Sequence, residues 1–126
     1  IAQIKQNMTI PVIANGDIHD VASLQRAVEL SGCDAYMISR AGSGKPWLYQ
    51  ELLQQRGVPV SVTEKICLFM THLQGLASLE DEYKAVLQSK SLIRYYFGTW
   101  LDESLLNRFY QLGSLVGIDS FLQSIS

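Results

Sequence analysis

The 126-residue sequence predicts an α/β segment followed by an all-α one. Three observations carry that prediction. Two short apolar runs, Ile10-Pro11-Val12-Ile13-Ala14 and Ala35-Tyr36-Met37-Ile38, stop abruptly in small or polar residues, Asn15-Gly16-Asp17 and Ser39-Arg40-Ala41-Gly42. A stretch of helical spacing separates the two runs. Beyond Gly57-Val58-Pro59 every apolar segment has helical spacing and no further strand candidate occurs, which places a domain boundary between residues 1–57 and 58–126.

Pro11 opens the first strand, 11–15, at a position that tolerates a missing N–H. Val12, Ile13 and Ala14 follow without polar alternation, the mark of a strand buried on both faces. Asp20 caps the next helix, Val21, Leu24, Ala27 and Val28 share one of its faces, and Gly32 ends it. The second strand, 35–38, comes after a short turn, so strand, helix and strand make a right-handed βαβ unit of a parallel sheet. Pro46 takes the first position of a short helix through Trp47, Leu48, Leu52 and Leu53, with Gly57 as its stop. In the second half, Ser61-Val62-Thr63-Glu64 is a capping box, and Ile66, Phe69, Met70, Leu73 and Leu76 form the buried stripe of the helix it opens. Helices over 82–97 and 102–112 follow, the latter ended by Gly113, and Asp119 caps a last short one carrying Phe121, Leu122 and Ile125. A bundle of roughly 60 residues is marginal alone and gains from docking on a neighbour.

A strand that ends in backbone-exposing residues is how a parallel α/β sheet presents a phosphate site, where amide N–H groups and a fixed cation converge on the anion. Asn15, Gly16 and Asp17 after the first strand, and Ser39 and Arg40 after the second, have that character. In phosphate-binding (β/α)8 barrels the loops after the last two strands and the N-terminus of a short added helix hold the anion, which points to a nucleotide-like cofactor. Asn-Gly-Asp also favours ordinary turns, and Asp17 and Asp34 compete as ion-pair partners for Arg40. A complete barrel needs about 250 residues, so the expected fold is the terminal fragment of a TIM-type barrel followed by the helical bundle. Gly42-Ser43-Gly44-Lys45 is no P-loop, because the first glycine is missing and Pro46 replaces the hydroxyl residue that would hold magnesium.

A net charge of −2 excludes bulk attraction to nucleic acid and leaves any RNA contact to a local basic face. Lys90 and Arg94, four apart on a predicted helix, share a face, with Lys84 about one and a half turns away and Tyr95 or Tyr96 available to stack. The competing reading is a solvated helix surface with the tyrosines in the core. Arg108 is a weaker candidate on the next helix. Cys33 and Cys67 lack a CxxC or a histidine at metal spacing and read as buried free thiols, so no metal is expected. His19 and His72 read as unpartnered loop and surface residues. With no basic leader and no apolar stretch of about 18 residues, the expectation is a cytoplasmic protein without membrane contact.

The first blocks, Ile10-Pro11-Val12-Ile13-Ala14-Asn15-Gly16-Asp17-Ile18, Ser31-Gly32-Cys33-Asp34-Ala35-Tyr36-Met37-Ile38-Ser39-Arg40 and Lys45-Pro46-Trp47-Leu48, resemble the end of the flavin-dependent tRNA-dihydrouridine synthase barrel. The tail, with Ser89-Lys90-Ser91-Leu92-Ile93-Arg94-Tyr95-Tyr96, is similar to that family's C-terminal RNA-binding domain. The resemblance implies an enzyme that reduces the C5–C6 bond of selected uridines in tRNA, using FMN recharged by NADPH. On it, Asn15, Gly16 and Asp17 correspond to the flavin-contacting turn after the seventh strand. Ser39 and Arg40 correspond to the Gly-Arg pair after the eighth, and Lys84, Lys90 and Arg94 are the tRNA-contacting candidates. Ser39 stands where the family usually has Gly; a positive φ there would cost about 1 kcal/mol, and otherwise its hydroxyl adds a donor. The family's protonating cysteine, and the lysine and histidine that reach the flavin, belong to earlier strands. Neither Cys33 nor Cys67 matches that cysteine's motif, so no catalytic residue is assigned and the fragment alone is expected to be inactive. Two alternatives remain: the end of another FMN barrel acting on a small molecule, which leaves the tail unexplained, and a non-catalytic RNA-binding module. Two strands without barrel neighbours expose apolar faces and open edges, so self-association is expected.

Overall fold

The computed structural model describes residues 1–126 apart from the side chain of Thr99. Seven α-helices and one parallel two-stranded sheet are present among the described residues. The chain divides into two compact units, Ile1–Val58 and Pro59–Ser126.

The first unit opens with a helix that the sequence did not announce, α1 (Ala2–Asn7). It has no capping side chain and no acidic residue in its first turn, so the usual start signals are missing. Strand β1 is Ile13–Asn15, shorter than 11–15, because the Val12 N–H is taken by the Asp34 carboxylate at 2.7 Å. Helix α2 (Val21–Ser31) begins and ends as its punctuation dictates. The Asp20 side chain accepts from the Ser23 N–H, the Ser23 side chain returns to the Asp20 backbone, and Gly32 closes the helix in left-handed geometry at φ 58°. Strand β2 (Ala35–Met37) pairs parallel to β1 with Ile13 opposite Ala35, Ala14 opposite Tyr36 and Asn15 opposite Met37. This βαβ unit is compatible with a barrel fragment, and its two strands form an open sheet.

Helix α3 (Leu48–Gln54) starts later than Pro46 suggests, since Trp47 holds the cap position. It also stops before Gly57. Gln55 turns left-handed at φ 51°, and Arg56 N–H reaches back to Glu51 C=O at 3.2 Å. Leu48 and Leu52 bury against Ile18, with Val21, Leu24, Ala27, Tyr36, Ile38 and Ala41 packed around them. Val28, placed with Val21, Leu24 and Ala27 on one face of α2, is exposed, as is Leu53 of α3. So is one face of the sheet. Ala14 is buried, whereas Ile13 is 64% and Met37 50% exposed, which corrects the reading of β1 as covered on both sides. An unbroken apolar run reports only that both faces can be covered, and this unit supplies a layer for one.

The second unit packs α4 (Val62–Leu79), α5 (Glu82–Phe97), α6 (Glu103–Tyr110) and α7 (Leu115–Ser124) around one core. Ser61 and Glu64 form the expected capping box, and Ile66, Phe69, Met70 and Leu73 are the buried stripe of α4. Phe69 is the centre of an aromatic cluster, meeting Tyr96 edge-on at 5.1 Å, Phe97 at 5.5 Å and Phe109 at 6.4 Å between centroids. Helix α7 begins four residues before Asp119: Ser114 caps it by accepting the Gly117 N–H at 3.1 Å, and Asp119 lies inside the helix. Cys67 is exposed and Cys33 half-buried, so neither is a core thiol. Cys67 follows Ile66 by one residue, about 100° around the helix from the stripe that faces the core.

Candidate functional site

The parallel register brings Asn15 and Met37 level, so both following turns leave from the same edge of the sheet, at the carboxyl ends of its strands. In open α/β sheets that is where ligands bind. Asn15, Gly16, Asp17, Ser39 and Arg40 all line one open cleft of about 660 Å³ there, together with Ile18, His19, Met37 and Ala41.

The first turn is built from backbone that L side chains rarely adopt. Gly16 has φ 152° and Asp17 φ 43°. A Cβ on Gly16 would meet nothing within 4 Å, so conformation and not crowding calls for glycine. Aspartate is among the few other residues at home in the left-handed region. The His19 Nδ1–H donates to the Asp17 carbonyl at 2.7 Å, bracing that turn, and His19 Nε2 lies 3.7 Å from Asp20. His19 is therefore partnered and sits in the cleft, a place that its isolation in the sequence did not reveal. Hydrogen bonds from the Ser23 N–H and hydroxyl hold the Asp20 carboxyl below its usual value, ionised at the start of α2.

The second turn is built differently. Ser39 has φ −113°, so the glycine usual in the family is not required here by a left-handed backbone. Arg40 begins a 3-10 turn, Arg40–Gly42, in which Gly42 N–H bonds Ser39 C=O at 3.0 Å. Its Nη2 donates to Asp17 Oδ1 at 3.0 Å, with the two side chains 90% and 86% exposed. Of the two carboxylates competing for Arg40, Asp17 holds it, because it leaves from the same strand ends, whereas Asp34 stands at the opposite end of β2, engaged by Lys5 and Val12. A pair this exposed is worth about 0–1 kcal/mol, so it orients the guanidinium without committing it.

Helix α3 takes no part. None of its residues lines the cleft, and its first turn is occupied internally: Lys45 pairs with Glu51 at 2.8 Å, which holds the Glu51 carboxyl below its ordinary value. The expected contribution of the short helix to the anion site is corrected accordingly.

On α5 the basic candidates separate. Lys84 pairs with Glu80 at 3.1 Å, and that bond raises its pKa. Six residues from Lys90, it stands about 120° around the helix from it. Arg94 is exposed and its Nε donates to the Tyr110 hydroxyl at 3.1 Å, which raises the guanidinium further. Lys90 is half-buried on the same face. Tyr95 is 59% exposed, whereas Tyr96 is buried at 7%, its hydroxyl 3.1 Å from His72 Nδ1 and pushed up by burial. Tyr96 is thus unavailable for stacking, and His72 is partnered. Arg108 lies over the Phe121 ring at 5.4 Å. Among the described residues no group of three or more His, Cys, Asp or Glu could hold a metal ion, and no helix is long and apolar enough to cross a membrane.

A guanidinium, a glycine turn and two strand ends meeting in one cleft define the class: an α/β unit with a polar cleft at the carboxyl ends of its parallel strands. Comparison with known proteins gives that class a family. The model of the family described as Dihydrouridine synthase (Dus) matches residues 1–110. The chain is 35% identical over 101 residues to tRNA-dihydrouridine synthase B of Shewanella oneidensis, covering 76% of this chain and 31% of that protein. It is 46% identical over 101 residues to the protein of the same name from Escherichia coli (strain K12), with 76% and 32% covered. The Proteus vulgaris protein of that name is 30% identical over 101 residues, with 76% and 31% covered. This chain belongs to the dihydrouridine synthase family, and it spans about a third of the length of the curated relatives it matches.

Proposed function

We propose that this chain is the C-terminal part of an FMN-dependent tRNA-dihydrouridine synthase, which reduces uridine in tRNA to 5,6-dihydrouridine with NADPH as reductant. The observation that carries the reading is the convergence of Asn15, Gly16 and Asp17 with Ser39 and Arg40 on one cleft at the ends of two parallel strands, in a chain of this family. Residues 1–57 act as the last two βα units of the barrel, and 58–126 as the tRNA-binding bundle.

The residues fit a flavin phosphate. Arg40 has five N–H donors in a planar fork and spends one on Asp17. Open space lies where Gly16 lacks a side chain, so a ligand can approach the backbone. The Ser39 side chain makes no capping bond to its own turn, which leaves the hydroxyl to serve an anion. When bound, FMN supplies the hydride chemistry. The residues of this chain anchor the phosphate and fix where the flavin sits. Neither cysteine lies in the cleft, so no catalytic role falls to Cys33 or Cys67, and the chain by itself is inactive. On the bundle, Lys90, Arg94 and Tyr95 form the tRNA contact, with Lys84 at its margin. The setting is the cytoplasm, where tRNA is modified. The family and the names of the relatives favour this reading over a flavin barrel acting on a small molecule.

Titration with FMN and with riboflavin, followed by flavin fluorescence, tests the proposal. FMN is expected to bind more tightly, and Arg40→Ala to abolish the difference. Equal affinity for both flavins in the unmodified chain would overturn the phosphate site.

A further inference from the structure

We infer that Asp17 is a resident counter-ion of the cleft: its carboxylate holds Arg40 while no ligand is bound, and an incoming phosphate monoester must displace it. Asp17 thereby lowers and sets the affinity of the site for phosphate. This rests on the flavin-phosphate reading above and goes deeper into it, since that reading uses the turn and not its charge.

Three features support the assignment. The carboxylate meets the guanidinium by a single bond, Nη2 to Oδ1 at 3.0 Å, so four of the five donors stay open to an anion. Both side chains are almost fully exposed, at 90% and 86%, so water screens the pair and separating it costs little. The carboxylate is nevertheless stationed and not left to wander. Gly16 at φ 152° and Asp17 at φ 43° direct the turn, and the His19 ring fastens the Asp17 carbonyl at 2.7 Å.

Displacement does not remove the charge from the cleft. The turn keeps Asp17 beside Arg40, so its carboxylate repels any dianion that has taken its place. Neutralising it removes both the competition and the repulsion. A unit charge a few ångström away in water is worth about three- to tenfold in binding. Asparagine tolerates the left-handed backbone as aspartate does, and glycine adopts it freely, so both replacements leave the turn intact.

The experiment uses the 126-residue chain at neutral pH, with FMN affinity read from flavin fluorescence, inorganic phosphate as competitor and riboflavin as the phosphate-free control. Asp17→Asn and Asp17→Gly are expected to bind FMN about three- to tenfold more tightly, with phosphate competing at correspondingly lower concentration and riboflavin unchanged. Suppose the unmodified chain prefers FMN to riboflavin but both variants bind FMN equally well or worse. The counter-ion role is then overturned and the phosphate site stands. An equal gain for riboflavin overturns it too, since the effect would not act through the phosphate. No preference for FMN and no phosphate competition in any of the three proteins overturns both readings together.

Discussion

Lys5 Nζ lies 2.7 Å from Asp34 Oδ2, joining α1 to the turn before β2, and the same carboxylate accepts the Val12 N–H at 2.7 Å. Val12 C=O in return accepts the Asp34 N–H at 3.0 Å, so one aspartate fastens the entrances of both strands. These bonds, the one from Lys5 first, hold the Asp34 carboxyl below its ordinary 3.8. A carboxylate favoured by folding contributes its stabilisation above the unfolded pKa and loses it as pH falls through the lower folded value. The sheet is therefore expected to loosen on acidification below about pH 4. In Asp34→Asn the Ala14 and Tyr36 amides should exchange faster at pH 6 and depend less on pH beneath it. Superimposable acid profiles for the two proteins would remove Asp34 from this role.

Phe69 is fully buried among the rings of Tyr96, Phe97 and Phe109. Truncation to alanine should cost the bundle about 3–5 kcal/mol, a large share of what a unit of this size has. Tyr96→Phe removes only the hydroxyl that meets His72 and should cost about 1 kcal/mol. Denaturant midpoints monitored at Trp100 provide the check, and comparable losses in the two variants would contradict the central position given to Phe69.

The bundle carries five Lys or Arg against seven Asp or Glu, so the proposed tRNA contact has to rest on placement and not on net charge. Lys90→Ala and Arg94→Ala should each weaken tRNA binding and lower the salt slope by about 1, the share of one neutralised phosphate. Tyr95→Ala should weaken it as well, because a stacking ring is removed. Lys84→Ala, whose ammonium is held by Glu80, and Tyr96→Phe should change it little. A uniform response across these positions would argue that α5 is not the face that meets RNA.

Elements bounded by a chemical punctuation mark were legible in the sequence. Asp20 and Gly32 frame α2, Ser61 and Glu64 open α4, and the residues of α5 emerge at 82–97 as the spacing predicts. Where such marks are missing or duplicated, the reading failed. Helix α1 has no capping side chain, and at α7 the expected cap, Asp119, is preceded by Ser114, whose hydroxyl meets the Gly117 N–H. The five cleft residues could be picked out because small and polar residues after an apolar run are local signals. Ile18 and Ala41, next in sequence to Asp17 and Arg40, and Met37 within the second apolar run carry no polar signal of their own. That the two turns meet in one cleft is set by the register of the strands, which no local pattern encodes. His19 was the recoverable omission, since it stands two residues from Asp17 in the same turn.

Gly16 and Ser39 are expected to respond in opposite ways to exchange. Gly16→Ala places a Cβ at φ 152°, where the penalty is conformational, and should weaken flavin binding by straining the turn at a cost of about 1 kcal/mol or more. Ser39→Gly relieves no left-handed backbone at φ −113° and gives up a hydroxyl, so affinity should stay level or fall. Tighter FMN binding by Ser39→Gly would mean that the second turn adopts a different backbone when the ligand is present.

Ile13 projects from the uncovered face of the sheet, 64% exposed, and Met37, directly opposite Asn15 in the register, is 50% exposed on the neighbouring strand. Each strand has one neighbour, so an edge of unpaired backbone groups accompanies the apolar face. Both features favour association with another copy through the sheet, by burial of apolar surface and by strand addition. Sedimentation of the isolated chain should therefore show a mass that rises with concentration. Ile13→Lys sets a charge on that face, the device by which natural edge strands avoid one another, and should shift the chain toward monomer. Because Ile13 is exposed within one chain, the substitution should alter monomer stability by no more than about 0.5 kcal/mol, which separates weakened association from weakened folding. A chain that sediments as a monomer at every concentration, with Ile13 intact, would show that this face is not sticky enough to recruit a copy.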